Sequence, residues 1–93
     1  MKRLWVVSYD IADERRLRRV AQLLESVGRR VEFSVFECSL DLQDLASLRG
    51  RLAVQIDAQA DSVRYYPICE WCESRVTWLG QGQAPEDSAY FIV

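Results

Sequence analysis

The chain contains no histidine. That absence excludes Ser-His and Cys-His nucleophilic triads and histidine metal sites, so any chemistry falls to carboxylates, arginines, tyrosines or cysteines. Cysteine is scarce and odd in number, three in 93 residues, which closes no disulfide framework and suits a reducing compartment. A cytoplasmic protein is therefore expected. Only four glycines occur, and none builds a phosphate-cradling loop. No apolar run approaches the roughly 18 residues that a membrane-spanning helix needs. Met1-Lys2-Arg3 ahead of Leu4-Trp5-Val6-Val7 imitates the start of a signal peptide, but the apolar run is short and Asp10 interrupts it. Neither export nor a membrane partner is expected.

What is present fits one compact unit. With 49% hydrophobic and 28% charged residues the composition is that of a globular protein. A single domain is expected over 1–93, with a core at 3–79 and a C-terminal loop and strand at 80–93 that complete a dimer. The formal net charge is −2, yet residues 1–30 hold eight basic side chains against four acidic ones. Arg15, Arg16, Arg18, Arg19, Arg29 and Arg30 fall within sixteen positions. Arginine's planar fork matches phosphate, so the cluster points to a polyanion despite the net charge.

Apolar periodicity orders the elements. Arg3 to Tyr9 is rich in β-branched and aromatic residues and reads as a buried strand. Asp13 is placed to cap a helix whose Leu17, Val20, Ala21, Leu24 and Val27 recur at spacings of three and four, with Gly28 as its stop. Between Arg30 and Leu40 the alternation slips phase: Val31, Phe33 and Val35 share one parity, Phe36, Cys38 and Leu40 the other. One strand cannot do this, so a tight turn or bulge near Ser34-Val35 divides two short strands. Asp41 then caps a second helix carrying Leu42, Leu45, Leu48, Leu52 and Ile56 and ending near Asp57. Strands follow at Ser62–Ile68, Val76–Leu79 and Ala89–Val93. The order is that of an α+β, ferredoxin-like βαββαβ fold with extra C-terminal strands. Two helices cover one sheet face, and a second protomer, packed sheet to sheet, is the simplest cover for the other. Tyr90-Phe91-Ile92-Val93 is a candidate to pair with the partner's sheet edge.

Five strings follow one another along the chain: Tyr9-Asp10-Ile11, Asp13 with Leu17-Arg18-Arg19-Val20-Ala21, Gly28-Arg29-Arg30-Val31, Ser34-Val35-Phe36-Glu37-Cys38 and Asp61-Ser62-Val63-Arg64-Tyr65-Tyr66-Pro67-Ile68-Cys69. In this order they resemble the Cas-two family of CRISPR adaptation proteins. The resemblance implies a homodimer that works in spacer acquisition beside the Cas-one integrase. It also implies a metal-dependent endonuclease acting on RNA or DNA.

Each candidate residue has a plain alternative. By position Asp10 organises the turn into the first helix. By resemblance it faces its symmetry mate across the dimer, where two carboxylates, phosphate oxygens and water would share one Mg²⁺. Asp13 is read as the helix cap rather than a ligand. Tyr9 either packs with Trp5 and Val7 or orients water or phosphate beside Asp10. Arg16, Arg19 and Arg30 are expected to contact the phosphate backbone of double-stranded DNA or single-stranded RNA, the alternative being a solvated helix face. Phe36 is either core or a residue of interface or stacking. Cys69-Glu70-Trp71-Cys72 is a lone CxxC, which falls short of the four ligands of a structural zinc. Outside the family, a toxin-like ribonuclease or a small-molecule-sensing regulatory domain would share the fold.

Overall fold

The computed structural model describes residues 1–77 and Leu79. Its elements run β1 (Arg3–Asp10), α1 (Glu14–Glu25), β2 (Gly28–Glu32), β3 (Val35–Leu40), α2 (Leu42–Ala53), β4 (Ser62–Ile68) and a single helical turn, α3 (Glu70–Glu73). The strands form one sheet in the order β2-β3-β1-β4. Every neighbouring pair is antiparallel. With helices after β1 and β3, this is the ferredoxin-like arrangement. Among the described residues no helix is long and apolar enough to cross a membrane.

Caps set where the helices begin. The Asp13 side chain accepts the Arg16 backbone N–H at 3.0 Å, and Asp41 and Asp44 exchange side-chain and backbone bonds in a capping box. Val20 and Leu24 of α1 join Leu45, Leu48 and Leu52 of α2 over Val7, Tyr9, Phe36, Cys38 and Leu40 of the sheet. Val7 lies opposite both Phe36 and Tyr65 in register, so alternate residues of the central strand feed this core. The remaining parity, including Val6, Val35, Tyr66 and Asp10, faces the other way, and Tyr66 is exposed.

The phase slip resolves as a two-residue turn, Phe33-Ser34, with Ser34 in the left-handed region at φ 66°. A register shift between Arg30 and Glu32 adds a bulge on β2.

Three expectations need correction. Gly28 does not stop α1, which ends at Glu25 with Ser26 as its C-cap. Gly28 instead sits in β2 opposite Cys38, where a Cβ would collide with Cys38 Sγ and the Glu37 carbonyl oxygen. The second helix ends at Ala53, short of Asp57, as the Gln55 N–H turns back to the Leu52 carbonyl. No strand forms at Val76, Thr77 or Leu79. There the Cys69 sulfur caps α3 by accepting the Cys72 N–H, and bonds from Arg75 to Cys72 and from Val76 to Glu73 carry the coil onward. Trp78 and residues 80–93, including the expected strand at Ala89–Val93, lie outside the described residues.

Candidate functional site

The site is built where β1 ends. Tyr9 turns into the core, 6% exposed, its ring centroid 6.2 Å from that of Phe36. Its backbone N–H donates to the Ser34 carbonyl at 3.1 Å, which ties the hairpin turn to the end of β1. Asp10 follows with the opposite parity and is exposed, across from Ser62 of β4. Strand alternation thus packs the tyrosine and presents the carboxylate on the sheet face away from the helices.

The turn after Asp10 is held by a residue the sequence reading did not single out. The Asp61 side chain is wholly shielded from solvent. It accepts the Ala12 N–H at 2.9 Å, the Asp57 N–H at 2.9 Å, and Arg16 through Nε at 2.7 Å and Nη2 at 3.2 Å. The Arg16 fork, aided by the two amides, holds this carboxyl well below the usual carboxylate range against the opposing effect of burial, and it raises Arg16 in turn. Asp13 is also lowered, chiefly by the Arg16 backbone N–H. Asp61 stands in one of the family-like strings, yet the sequence alone gives it no role there, because Arg16 and Ala12, two of its three partners, stand 45 and 49 residues away, beyond any local pattern.

The six clustered arginines divide by what surrounds them. Arg16, expected on phosphate, gives its fork to Asp61, and Arg29 lies 3.5 Å from the buried Glu37. Arg30 sits 3.6 Å from Glu25 with its guanidinium carbon 5.1 Å from the Phe36 ring centroid, a cation–π geometry. Phe36 itself is fully enclosed, which leaves its ring packing in the core rather than offering a stacking surface. Arg15, Arg18 and Arg19 line one shallow depression on the exposed side of α1. Arg18 comes within 3.9 Å of Glu14, whereas Arg15 and Arg19 have no carboxylate partner within 4.0 Å among the described residues.

For a metal, Asp10 offers the hard oxygen that Mg²⁺ prefers, but only one such ligand per chain. Among the described residues no three metal-ligating side chains come together. The donor type fits Mg²⁺, which keeps waters and takes substrate phosphates, provided that a second carboxylate or the substrate completes the set.

Comparison with known proteins places the fold in a family. The family described as CRISPR associated protein Cas2 matches residues 2–76. A CRISPR-associated endonuclease Cas2 of Thermus thermophilus is 45% identical over 85 residues, covering 91% of this chain and 90% of the relative. A CRISPR-associated endoribonuclease Cas2 of Chloroflexus aurantiacus is 36% identical over 93 residues, covering the whole of both chains. The solved structure of Streptococcus pyogenes Cas2 at pH 6.5 superposes with a TM-score of 0.73 at 38% identity, covering 83% of this chain and 99% of that one. A hypothetical protein of Thermus thermophilus, TT1823, superposes with a TM-score of 0.82 at 44% identity, covering 92% of this chain and all of the other. On a match through nearly all the described fold, the chain belongs to the CRISPR-associated Cas2 family.

Proposed function

We propose that this protein acts in CRISPR adaptation as a cytoplasmic homodimer, binding nucleic acid through the exposed arginines of α1 and cutting it with a pair of Asp10 carboxylates. One observation carries the reading: Asp10 is exposed on the sheet face that the helices leave open, a face that also bears Val6, Val35 and Tyr66. A second copy packed on that face would bury its apolar part and bring two Asp10 residues toward each other. Membership of the family supports the same assembly, and the relatives named endonuclease or endoribonuclease support the chemistry.

In this reading Arg15 and Arg19 fix the phosphate backbone without reading sequence. Arg30, beside Glu25, is placed to add a contact where the duplex or strand passes the β2 end. Asp10 from each protomer would hold Mg²⁺, whose chemistry when bound is to acidify a water and steady charge on phosphorus. The same basic face would let the dimer scaffold the spacer integrase on DNA, a role that needs no cleavage.

The test is binding and cleavage of duplex DNA and single-stranded RNA by wild type and Asp10→Ala, with Mg²⁺ and with chelator. Cleavage that requires metal and vanishes in Asp10→Ala, while binding survives, supports the nuclease. Equal binding with no cutting by either protein leaves the scaffold role and makes Asp10 a turn residue.

A further inference from the structure

We propose that Arg16 and Asp61 form a latch that positions Asp10, with Arg16 acting through Asp61 and not as a phosphate contact. The catalytic part of this inference rests on the reading of Asp10 given above. Four bonds converge on one shielded carboxylate, two from backbone amides and two from one guanidinium. A bidentate arginine–carboxylate pair fixes direction as well as distance, which a single ion pair does not. Here it joins two regions that are far apart in sequence: the turn after β1 and the first turn of α1, through Ala12 and Arg16, and the α2–β4 connection, through Asp57 and Asp61 itself.

The consequence reaches Asp10 from both sides. Asp61 immediately precedes Ser62, the residue paired with Asp10 in the β1–β4 register. Ala12, bonded to Asp61, stands two residues after Asp10 along the chain. Asp10 is thus clamped between a strand neighbour and a turn that share one anchor. The carboxylate that would meet substrate is solvent-exposed and has no hydrogen bond of its own among the described residues, so its placement depends on the backbone that carries it. Removing the anchor loosens that backbone. It does not remove a charge from the surface that meets nucleic acid, because Nε and Nη2 of Arg16 already point at Asp61.

This assignment separates Arg16 from Arg15 and Arg19, which share its helix turn but have no carboxylate within 4.0 Å among the described residues. The expected result for Arg16→Lys, which keeps charge and loses the fork, is a fall in kcat of about 10- to 100-fold with KM little changed, as for a misplaced catalytic group. Asp61→Asn should do the same. Combining them should cost no more than the worse single change, since both remove one device.

The experiment measures five quantities on wild type, Arg16→Lys, Asp61→Asn, the double variant and Arg19→Gln. These are kcat and KM for nucleic-acid cleavage, duplex binding over a salt series in chelator, thermal unfolding, and amide hydrogen exchange. Assay temperatures lie well below every variant's unfolding transition. The latch predicts faster exchange confined to residues 11–13 and 57–61, non-additive kcat losses, and an unchanged salt slope for Arg16→Lys. In Arg16→Gln, added as a charge-removing control, the slope should also hold, whereas Arg19→Gln should lower it by about one unit per protomer. A slope that falls equally in Arg16→Gln and Arg19→Gln overturns the proposal, as do additive losses for Arg16→Lys and Asp61→Asn. If Asp61→Asn does not fold, Arg16→Lys through exchange and Arg16→Gln through slope decide the matter. Should the wild type fail to cut, the nuclease reading falls, while exchange and slope still decide whether the latch exists.

Discussion

The arginine face of α1 makes a quantitative prediction about salt. Arg15 and Arg19 have no carboxylate within 4.0 Å among the described residues, and Arg18 shares its charge with Glu14 at 3.9 Å. Counting these two residues, the proposed dimer would present four phosphate contacts from this face. At about 0.9 counterions released per contact on duplex DNA, log K should fall against log salt with a slope near −3.6. Raising KCl fourfold, from about 50 to 200 mM, then weakens binding by roughly 150-fold. Arg15→Gln with Arg19→Gln should remove that share, leaving only what Arg18 and Arg30 add when they leave their glutamates, and Arg19→Gln alone should make the slope shallower by about 1.8. Fluorescence anisotropy of a labelled duplex in chelator measures the slope without cleavage. Replacing Glu14 by Gln should steepen it, because Arg18 is then released to phosphate. A slope that stays near the wild-type value in the Arg15→Gln, Arg19→Gln variant would place the nucleic acid on another surface and refute the assignment of this face.

Two further predictions concern the scaffold. Gly28→Ala must displace both the Cys38 sulfur and the Glu37 carbonyl, because the added methyl would collide with the first and sit 2.5 Å from the second. A loss of about 1–3 kcal/mol is expected from such overpacking, read as a lower urea midpoint at fixed protein concentration, and Cys38→Ala should restore only part of it because the carbonyl clash remains. An unchanged midpoint would mean that β2 moves away at no cost. The second concerns acid. Hydrogen bonds hold Asp61, Asp13 and Asp41 below their ordinary value of 3.8 in the folded protein. The unfolded chain therefore binds more protons as pH falls, so these groups give their full stabilisation above about pH 4 and lose it progressively below. With no histidine to titrate, the urea midpoint should be nearly flat from pH 7 to 5, then drop toward pH 3, and the drop should shrink in Asp61→Asn. A midpoint that already falls between pH 7 and 5.5 would contradict the reasoning.

Local signals carried much of the fold. Asp13 and Asp41 each precede an apolar stripe at helical spacing, and both cap the helices expected from them. The parity change from Phe33 to Phe36 located the hairpin, because a strand cannot switch faces without a break. The failures share a physical origin. Gly28 looks like a helix stop in sequence, and only the register with Cys38 reveals a strand position that lacks room for a side chain. Val76-Thr77 has the β-branched composition of a strand, but the sulfur cap at Cys69 winds the preceding residues into a helical turn. The open end of β1 was legible, since alternation from Val7 places Tyr9 inward and Asp10 outward. Which arginines are exposed was not legible, because that depends on carboxylates brought from distant segments.

That dependence explains how a chain of net charge −2 can present a basic surface. Charge counted along the sequence treats all six clustered arginines alike, whereas folding supplies each with a different neighbour. A shielded carboxylate holds Arg16 on two bonds, and a buried one stands by Arg29. Such pairs lie partly out of water, where the attraction is less screened than at the surface. Their arginines are therefore poor candidates to leave for a phosphate. Arg18 and Arg30 face exposed glutamates at 3.9 and 3.6 Å, pairs of the kind that contribute little and yield to a polyanion. Arg15 and Arg19 start without a competitor among the described residues. In the proposed reading the affinity of the face for nucleic acid is thus set by how few carboxylates of the described residues the fold delivers to the outer side of α1, while the described acidic residues away from α1 act at longer range, where salt screens them.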